Sequence, residues 1–381
     1  MNAIKNGIIY SRNKFIENHI LIFNEKIIDI VSSNEYRKFV GKITNEYDAL
    51  GNYVLPGFID QHIHGYEGFD VMDKKALSIV EISKRLVNNG VTSFLPTTLT
   101  ASNDDLQRVC DIVKNIKLSN NKGAKIIGVH LEGPYINKSK KGAQNEAFIN
   151  LPDVDFINKN LDIIKIVTIA PEITGSIDLI EEFRDKINFQ IGHSDATFME
   201  SNGAIKVGAK GFTHTFNAMR GLSHRDLGVV GSCLLSKYAY AEMICDNIHL
   251  DKNIYDFMVK NKGLDKLLLI TDCIRAGGMI DGAYDLGGLK TVLKNNECRL
   301  ENGSLAGSVL KMNEAFKNFF ENSSIDFIDC VKMVSVNQGK YLGLENEIGE
   351  IDKGLYSDLV IMDDECNVKK TFVNGECLYE V

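Results

Sequence analysis

The stretch PGFIDQHIHG, from Pro56 to Gly65, sets two histidines one residue apart at the end of an apolar run. In an extended strand residues two apart share a face, so His62 and His64 present two imidazoles side by side while Ile63 turns the other way. An isolated pair of this kind is more often a surface feature than a site, so the rest of the chain has to decide. It places Glu132 at the end of AKIIGVHLEGP, His193 in NFQIGHSDA, His214 in AKGFTHTFNAM, Asp246 and His249 in AYAEMICDNIH, and Asp272 in KLLLITDCI. Imidazole and carboxylate without thiolate suit a divalent Zn, Fe, Co or Mn ion. Glu132, His193 and His214 form a three-ligand set that leaves one coordination position open, the pattern of a catalytic rather than a structural zinc. His62 and His64 could hold a second ion, with Glu132 bridging the two, giving two metals per subunit. Such an ion turns water into a nucleophile at neutral pH, able to attack a carbonyl carbon or a phosphorus. Asp272 closes a strongly apolar run and suits a general base that takes a proton and returns it to a leaving group; a helix N-cap is the alternative. His249 fits a role polarising a carbonyl oxygen better than that of a ligand.

Residues so far apart in sequence meet only if the fold gathers them. Between the termini the chain repeats apolar run, loop and helix, with helices expected over residues 76–89, 103–117 and 177–186. Eight such runs match a (β/α)8, TIM-like barrel of roughly 250 residues, whose active site forms at the C-terminal ends of the strands. The polar residues named above fall at those ends. Both termini instead look β-rich: GIIY and NHILIFNEKIIDIVSS suggest short antiparallel strands, and Asn374-Gly375 in VKKTFVNGECLYEV is a hairpin signal. The economical reading joins residues 1–53 and 345–381 into one small β-sandwich domain, with residues 54–344 as the catalytic barrel.

The chain of 381 residues carries a formal net charge of -8, which argues against nucleic acid as a partner while leaving a local cationic pocket for an anionic substrate open. No apolar run approaches the ~18 residues of a membrane span, and the first residues lack the apolar core of a signal peptide, so a cytoplasmic protein is expected. The 8 cysteines show no C-x-x-C spacing and read as buried small apolar side chains.

The motifs PGFIDQHIHG, HLEGPY, APE, GHSDA, THTFNAM, DNIH, ITDC and SLAGS resemble, over nearly the whole chain, the N-acetylglucosamine-6-phosphate deacetylases of the amidohydrolase superfamily. The resemblance implies a barrel of the metal-dependent hydrolase type and hydrolysis of a phosphorylated amino-sugar substrate to acetate and glucosamine 6-phosphate. It implies that Glu132, His193 and His214 bind the principal metal and that His62 and His64 bind a second. Asp272 is implied as acid/base and His249 as the group that polarises the acetyl carbonyl. Ala143, Asn217, Ala218, Asp246, Asn247, Ile248, His249, Leu305, Ala306 and Gly307 are implied to line the sugar. Arg225, reaching from the neighbouring subunit of a homodimer, is implied to pair with the phosphate, for which a guanidinium fork is suited.

Three positions depart from the family pattern: Gln144 stands in place of a histidine, Asn247 in place of a glycine, and Asn337-Gln338-Gly339 in place of Asn-Pro-Ala. The first two bear on which hexosamine is bound, and the galactosamine isomer stays the alternative. Another amidohydrolase, such as a cyclic-amide hydrolase, is less favoured because no lysine for carbamylation stands at the third strand end. A non-catalytic scaffold is a further alternative, but every ligand and the acid/base are present. Lys138, Lys140 and Lys141 read as a solvated run and His19 as a surface residue, while His224 could share the phosphate or lie idle.

Overall fold

The computed structural model describes residues 1–119 and 122–381. Parallel strands here are covered on both faces: the aliphatic run Leu267–Ile270 and the mixed VTSFLPTT of Val91–Thr98 are buried at every residue. The strands Phe58–Ile63, Val91–Thr98, Val129–Glu132, Ile164–Ile169, Asn188–Ile191, Gly211–Phe212, Tyr240–Ile244 and Leu267–Ile270 pair side by side in chain order, all parallel. Lys125–Ile126 is an earlier piece of the third strand, paired to the second. The ring closes between the eighth strand and the first. There the Asp272 N–H donates to the His62 carbonyl at 2.9 Å, His64 N–H to the Cys273 carbonyl at 2.8 Å, and Ile63 bridges Cys273 in parallel. The TIM-like barrel expected from the sequence is therefore present, and residues named for chemistry lie on its seam.

Helices pack outside the barrel. Asn103–Lys117 starts on the Ser102 side chain, carries Asp104 and Asp105 in its first turn and Lys114 and Lys117 in its last, and buries Leu106, Val109, Cys110, Val113 and Ile116. Cap, charges and apolar stripe all agree with one helix. Ala76–Leu86 runs on as a tighter turn to Asn89, and Gly90 ends it at φ 80°. The third expected helix is shorter than the reading: Ser176–Phe183 stops early because Ile187 turns inward to 1 % exposure ahead of the next strand.

The two termini build two sheets. One orders Ile27–Ser32, His19–Phe23, Asn2–Lys5 and Asn45–Asp48; the other joins Glu376–Glu380, Val368–Val373 and Leu359–Met362 to Tyr53–Pro56, Ile8–Ser11 and Lys14–Ile16. Ile4, Ile9, Leu21, Phe23, Val54, Leu359 and Phe372 share one core, so this is the small sandwich. Its strand Tyr53–Pro56 runs past residue 53 and leads directly into the first barrel strand. Not every N-terminal strand is antiparallel: Asn45–Asp48 pairs parallel to Asn2–Lys5 after a helical turn, Ser33–Tyr36, closed by a Ser32–Glu35 capping box. The hairpin at Asn374-Gly375 forms with both residues at positive φ. A Cβ at Gly375 would lie 1.9 Å from the Asn24 carbonyl oxygen, so only glycine fits.

One element was not anticipated. After the eighth barrel strand, Gly282–Leu286, Leu289–Lys294 and Glu297–Leu300 form an antiparallel sheet whose turns, Gly287-Gly288 and Asn295-Asn296, hold positive φ throughout. Asn337 and Gln338, one of the departures above, brace the start of the eighth strand: Asn337 Nδ2 donates to the Leu267 carbonyl at 2.9 Å and Gln338 Nε2 to that of Leu269 at 3.1 Å. All 8 cysteines are free, and all but Cys377 are buried.

Candidate metal-dependent active site

The side chains named at the strand ends converge. Glu132 is the last residue of its strand, and its Oε1 lies 3.1 Å from His193 Nε2 and 3.0 Å from His214 Nε2, which are themselves 3.1 Å apart. Its Oε2 faces His64 Nε2 at 3.3 Å, and Asp272 Oδ1 lies 3.1 Å from the same nitrogen. His62 Nε2 stands 3.4 Å from both Glu132 Oε1 and Asp272 Oδ1. His193, His214 and Asp272 follow their strands in left-handed backbone, at φ 48°, 30° and 49°. Non-glycine residues avoid that region, and such strain gathers at functional sites.

The outer ring nitrogens fix which way each imidazole offers its lone pair. His193 Nδ1 sits 2.8 Å from the Lys140 carbonyl, His64 Nδ1 3.1 Å from the Thr97 carbonyl, and His62 Nδ1 3.0 Å from Glu242 Oε2. An oxygen acceptor there puts the hydrogen on Nδ1 and leaves Nε2 as a lone pair. Three imidazole lone pairs thus point at carboxylate oxygens, and a positive charge has to lie between them. A divalent cation fits this donor set. The ligand atoms of Glu132, His193 and His214, and separately those of His62, His64 and Asp272, lie within 4.8 Å of one another.

The electrostatics agree. Burial alone would lower the His64 pKa, but its bonds to Asp272 and Glu132 outweigh that and hold it at about 9. His62 is likewise held well above its ordinary value, against its burial, by Asp272, Glu132 and Glu242. Burial works to raise the Glu132 and Asp272 carboxyls, yet the surrounding imidazoles pull both below the usual range. A metal ion would displace the protons these imidazoles otherwise take up.

A cavity of about 460 Å³ opens over this cluster. Ala143, Asn217, Ala218, His249, Leu305 and Gly307, all named above from the family resemblance, line it. Leu286, Asn302 and Ser304 reach it from the unanticipated sheet and its following turn. His249 Nδ1 is 2.6 Å from Asp246 Oδ2, while Asp246 Oδ1 accepts the Ile248 and His249 N–H groups at 2.9 and 2.7 Å. Burial opposes protonation of His249, but Asp246 raises its pKa, leaving the far nitrogen suited to donate into the cavity.

Other expected residues lie elsewhere. Asp246 and Ile248 border a neighbouring cavity, and Ala306 is fully buried beside the mouth. Asn247, at φ 61°, accepts a hydrogen bond from Tyr255 Oη at 2.9 Å, so its side chain is spent on the protein and not on the cavity. Arg225 and His224 are exposed on a loop and are not among the residues lining the cavity of their own chain. Lys138, Lys140 and Lys141, expected to be a solvated run, form part of the cavity wall; Lys138 pairs with Glu146 at 3.6 Å and Lys140 with Asp195 at 3.3 Å.

Several residues were not singled out from sequence. Gln144, noted only as a departure, donates from Nε2 to Glu132 Oε2 at 2.5 Å and accepts the Thr100 N–H at 2.7 Å. Glu242, Gln61 and His130 are fully buried beneath the cluster. Their signal was a charged or polar residue inside an otherwise apolar strand, as in YAEMI.

Comparison with known proteins agrees with this geometry. The Amidohydrolase family model matches residues 53–378. The N-acetylglucosamine-6-phosphate deacetylase of Bacillus subtilis is 35% identical over 385 residues, covering 99% of this chain and 96% of that protein. The enzyme of that name from Lysinibacillus sphaericus is 37% identical over 336 residues, covering 87% of each. A crystal structure of N-acetylglucosamine-6-phosphate deacetylase from Pasteurella multocida superposes with a TM-score of 0.93 at 29% identity, over 99% of both chains. With its barrel, its buried imidazole–carboxylate cluster and these matches, the chain belongs to the amidohydrolase family.

Proposed function

We propose that this chain hydrolyses the acetamide of N-acetylglucosamine 6-phosphate, giving acetate and glucosamine 6-phosphate. The observation that carries the reading is the convergence of Glu132, four imidazoles and Asp272 beneath a cavity of sugar size, in a chain whose relatives are named for this reaction. Glu132, His193 and His214 would hold the principal divalent ion, and His62 with His64 would hold a second. A bound Zn, Fe, Co or Mn ion supplies Lewis acidity, which lowers the pKa of water and polarises a carbonyl.

The chain's own groups manage the protons. Asp272 takes a proton from the attacking water as the C–O bond forms, then delivers it to the amide nitrogen as the C–N bond breaks. His249, held by Asp246, donates a hydrogen bond to the acetyl oxygen as it gains charge. The sugar lies against Ala143, Asn217, Ala218, His249, Leu305 and Gly307, which line the cavity, while Asp246, Asn247, Ile248 and Ala306 support the turns that carry His249, Leu305 and Gly307.

We place the phosphate on Arg225 of a second copy in a homodimer. Two features support this: Arg225 is exposed outside its own cavity, and Leu222, Leu227, Leu235 and Tyr238 nearby are exposed at 52%, 38%, 64% and 83%. Free cysteines suit a reducing cytoplasm, and among the described residues no helix is long and apolar enough to cross a membrane. The small domain takes residues 1–53 with 345–381, together with the rest of the strand Tyr53–Pro56, and the barrel unit follows up to residue 344.

The test is acetate release by metal-loaded protein from the gluco and galacto 6-phosphates and from the unphosphorylated sugar. The gluco phosphate should give the highest kcat/KM; no release from any of the three would end the proposal.

A further inference from the structure

Beneath the cluster lies a layer of polar side chains that the reaction outlined above does not use. At its centre is Glu242, fully buried on the seventh barrel strand. Its Oε1 accepts hydrogen bonds from Gln61 Nε2 at 2.7 Å and Gln190 Nε2 at 3.0 Å. Its Oε2 lies 3.0 Å from His62 Nδ1 and accepts the His214 N–H at 3.3 Å. One carboxylate therefore touches the ring of one candidate ligand pair and the backbone of the other.

We infer that Glu242 is a positioning residue that aims His62 at the second metal, an inference that rests on the two-metal reading. With donors on every side the carboxylate acts only as acceptor, so the hydrogen stays on His62 Nδ1 and the Nε2 lone pair faces Glu132 and Asp272. The ring has little freedom to turn. It packs on His130 with 4.5 Å between centroids, and His130 is held at both nitrogens, by the Gln61 carbonyl at 3.0 Å and by Thr168 Oγ1 at 2.8 Å. Thr168 bonds Thr213 at 2.8 Å, Thr213 donates to Gln190 at 3.0 Å, and Gln190 returns to Glu242. The circuit closes through Gln61. Although ligand atoms of His62, His130 and Glu242 lie within 4.8 Å of one another, both His130 nitrogens are engaged, so the trio is a brace and not a third metal site. The bond from His214, whose φ is 30°, extends the same brace to the principal site.

The test is a Co²⁺ titration of metal-depleted protein, followed by absorption and elemental analysis. Glu242→Gln keeps the shape and removes the charge. The first equivalent should bind within a few fold of wild type, while the second should weaken by about 10–100-fold, the usual cost of losing such a partner. In a His62→Ala background, Glu242→Gln should change Co²⁺ binding no further. A Glu242→Gln protein that loads both equivalents like wild type overturns the inference, and so does an equal loss in the His62→Ala background. If Glu242→Gln does not fold, Glu242→Asp keeps the charge one methylene short and should show an intermediate loss of the second equivalent; wild-type affinity there overturns the inference as well. Wild-type protein that takes up a single Co²⁺ removes the two-metal reading and this inference with it, but leaves deacetylation standing.

Discussion

At the metal end of the cavity, His62, His64, Glu132, His193 and His214 lie at strand ends, are almost fully buried, and bring every imidazole within 3.4 Å of Glu132. At the sugar and phosphate end the candidates are scattered: Ala143, Asn217 and Leu305 come from loops, Asn302 and Ser304 follow an inserted sheet, and Arg225 is outside the cavity altogether. The metal end is fixed by barrel topology, since any strand end must point there. The sugar end is fixed by loops, which the strand order does not constrain. Chemistry should therefore fail sharply when one metal-end group changes, whereas recognition should fail by degrees.

The largest effect is expected at Asp272. Asp272→Asn should still bind metal and a substrate analogue while turnover falls by roughly 10²-fold or more, the range for lost acid–base catalysis. Loss of metal from this variant would make Asp272 chiefly a ligand, and near-normal turnover would refute its role. Arg225→Ala comes next. A charge-assisted bond is worth about 1.5–3 kcal/mol, so KM for the phosphorylated sugar should rise by about tenfold or more, with little change on the unphosphorylated one. Equal losses on both substrates would break the division between the two ends. His62→Ala combined with His64→Ala should reduce metal content from two equivalents to one by elemental analysis and cut the rate by up to about tenfold in folded protein. Unchanged metal content would place the second ion elsewhere. The smallest effect is expected at the border between the ends. Gln144→His should keep one of the two Gln144 bonds, to Glu132 or to the Thr100 N–H, and lower kcat/KM by only a few fold, about the net worth of one hydrogen bond.

The same contrast explains what could be read from the sequence. A strand end is marked twice, by the apolar run before it and the polar residue after it, so Glu132, His193, His214 and Asp272 stood out. The polar layer around Glu242 was not marked in that way. A lone Glu between Ala241 and Met243 reads as an interruption in an apolar run, and only the closed barrel reveals that Gln61, Gln190 and His130 face it. The inserted sheet carried plain turn signals at Gly287-Gly288 and Asn295-Asn296, but a reading that followed the β-α repeat passed over them. For Asn247 and Arg225 the family resemblance implied a contact, whereas orientation depended on Tyr255 in one case and on the loop's exit from the cavity in the other.

The seam of the barrel carries one more consequence. Thr271 Oγ1 donates to Asp60 Oδ2 at 2.6 Å across 211 residues of chain, and the Asp272 N–H meets the His62 carbonyl one step beyond. A polypeptide still emerging from the ribosome holds His62 and His64 early but lacks the strand that positions both histidines against Asp272. Synthesis must pass the eighth strand before the site exists at all. Incomplete chains are therefore inert toward substrate, and a nick between the seventh and eighth strands that lets the last strand leave would open the ring and dismantle the proton-transfer group in the same event.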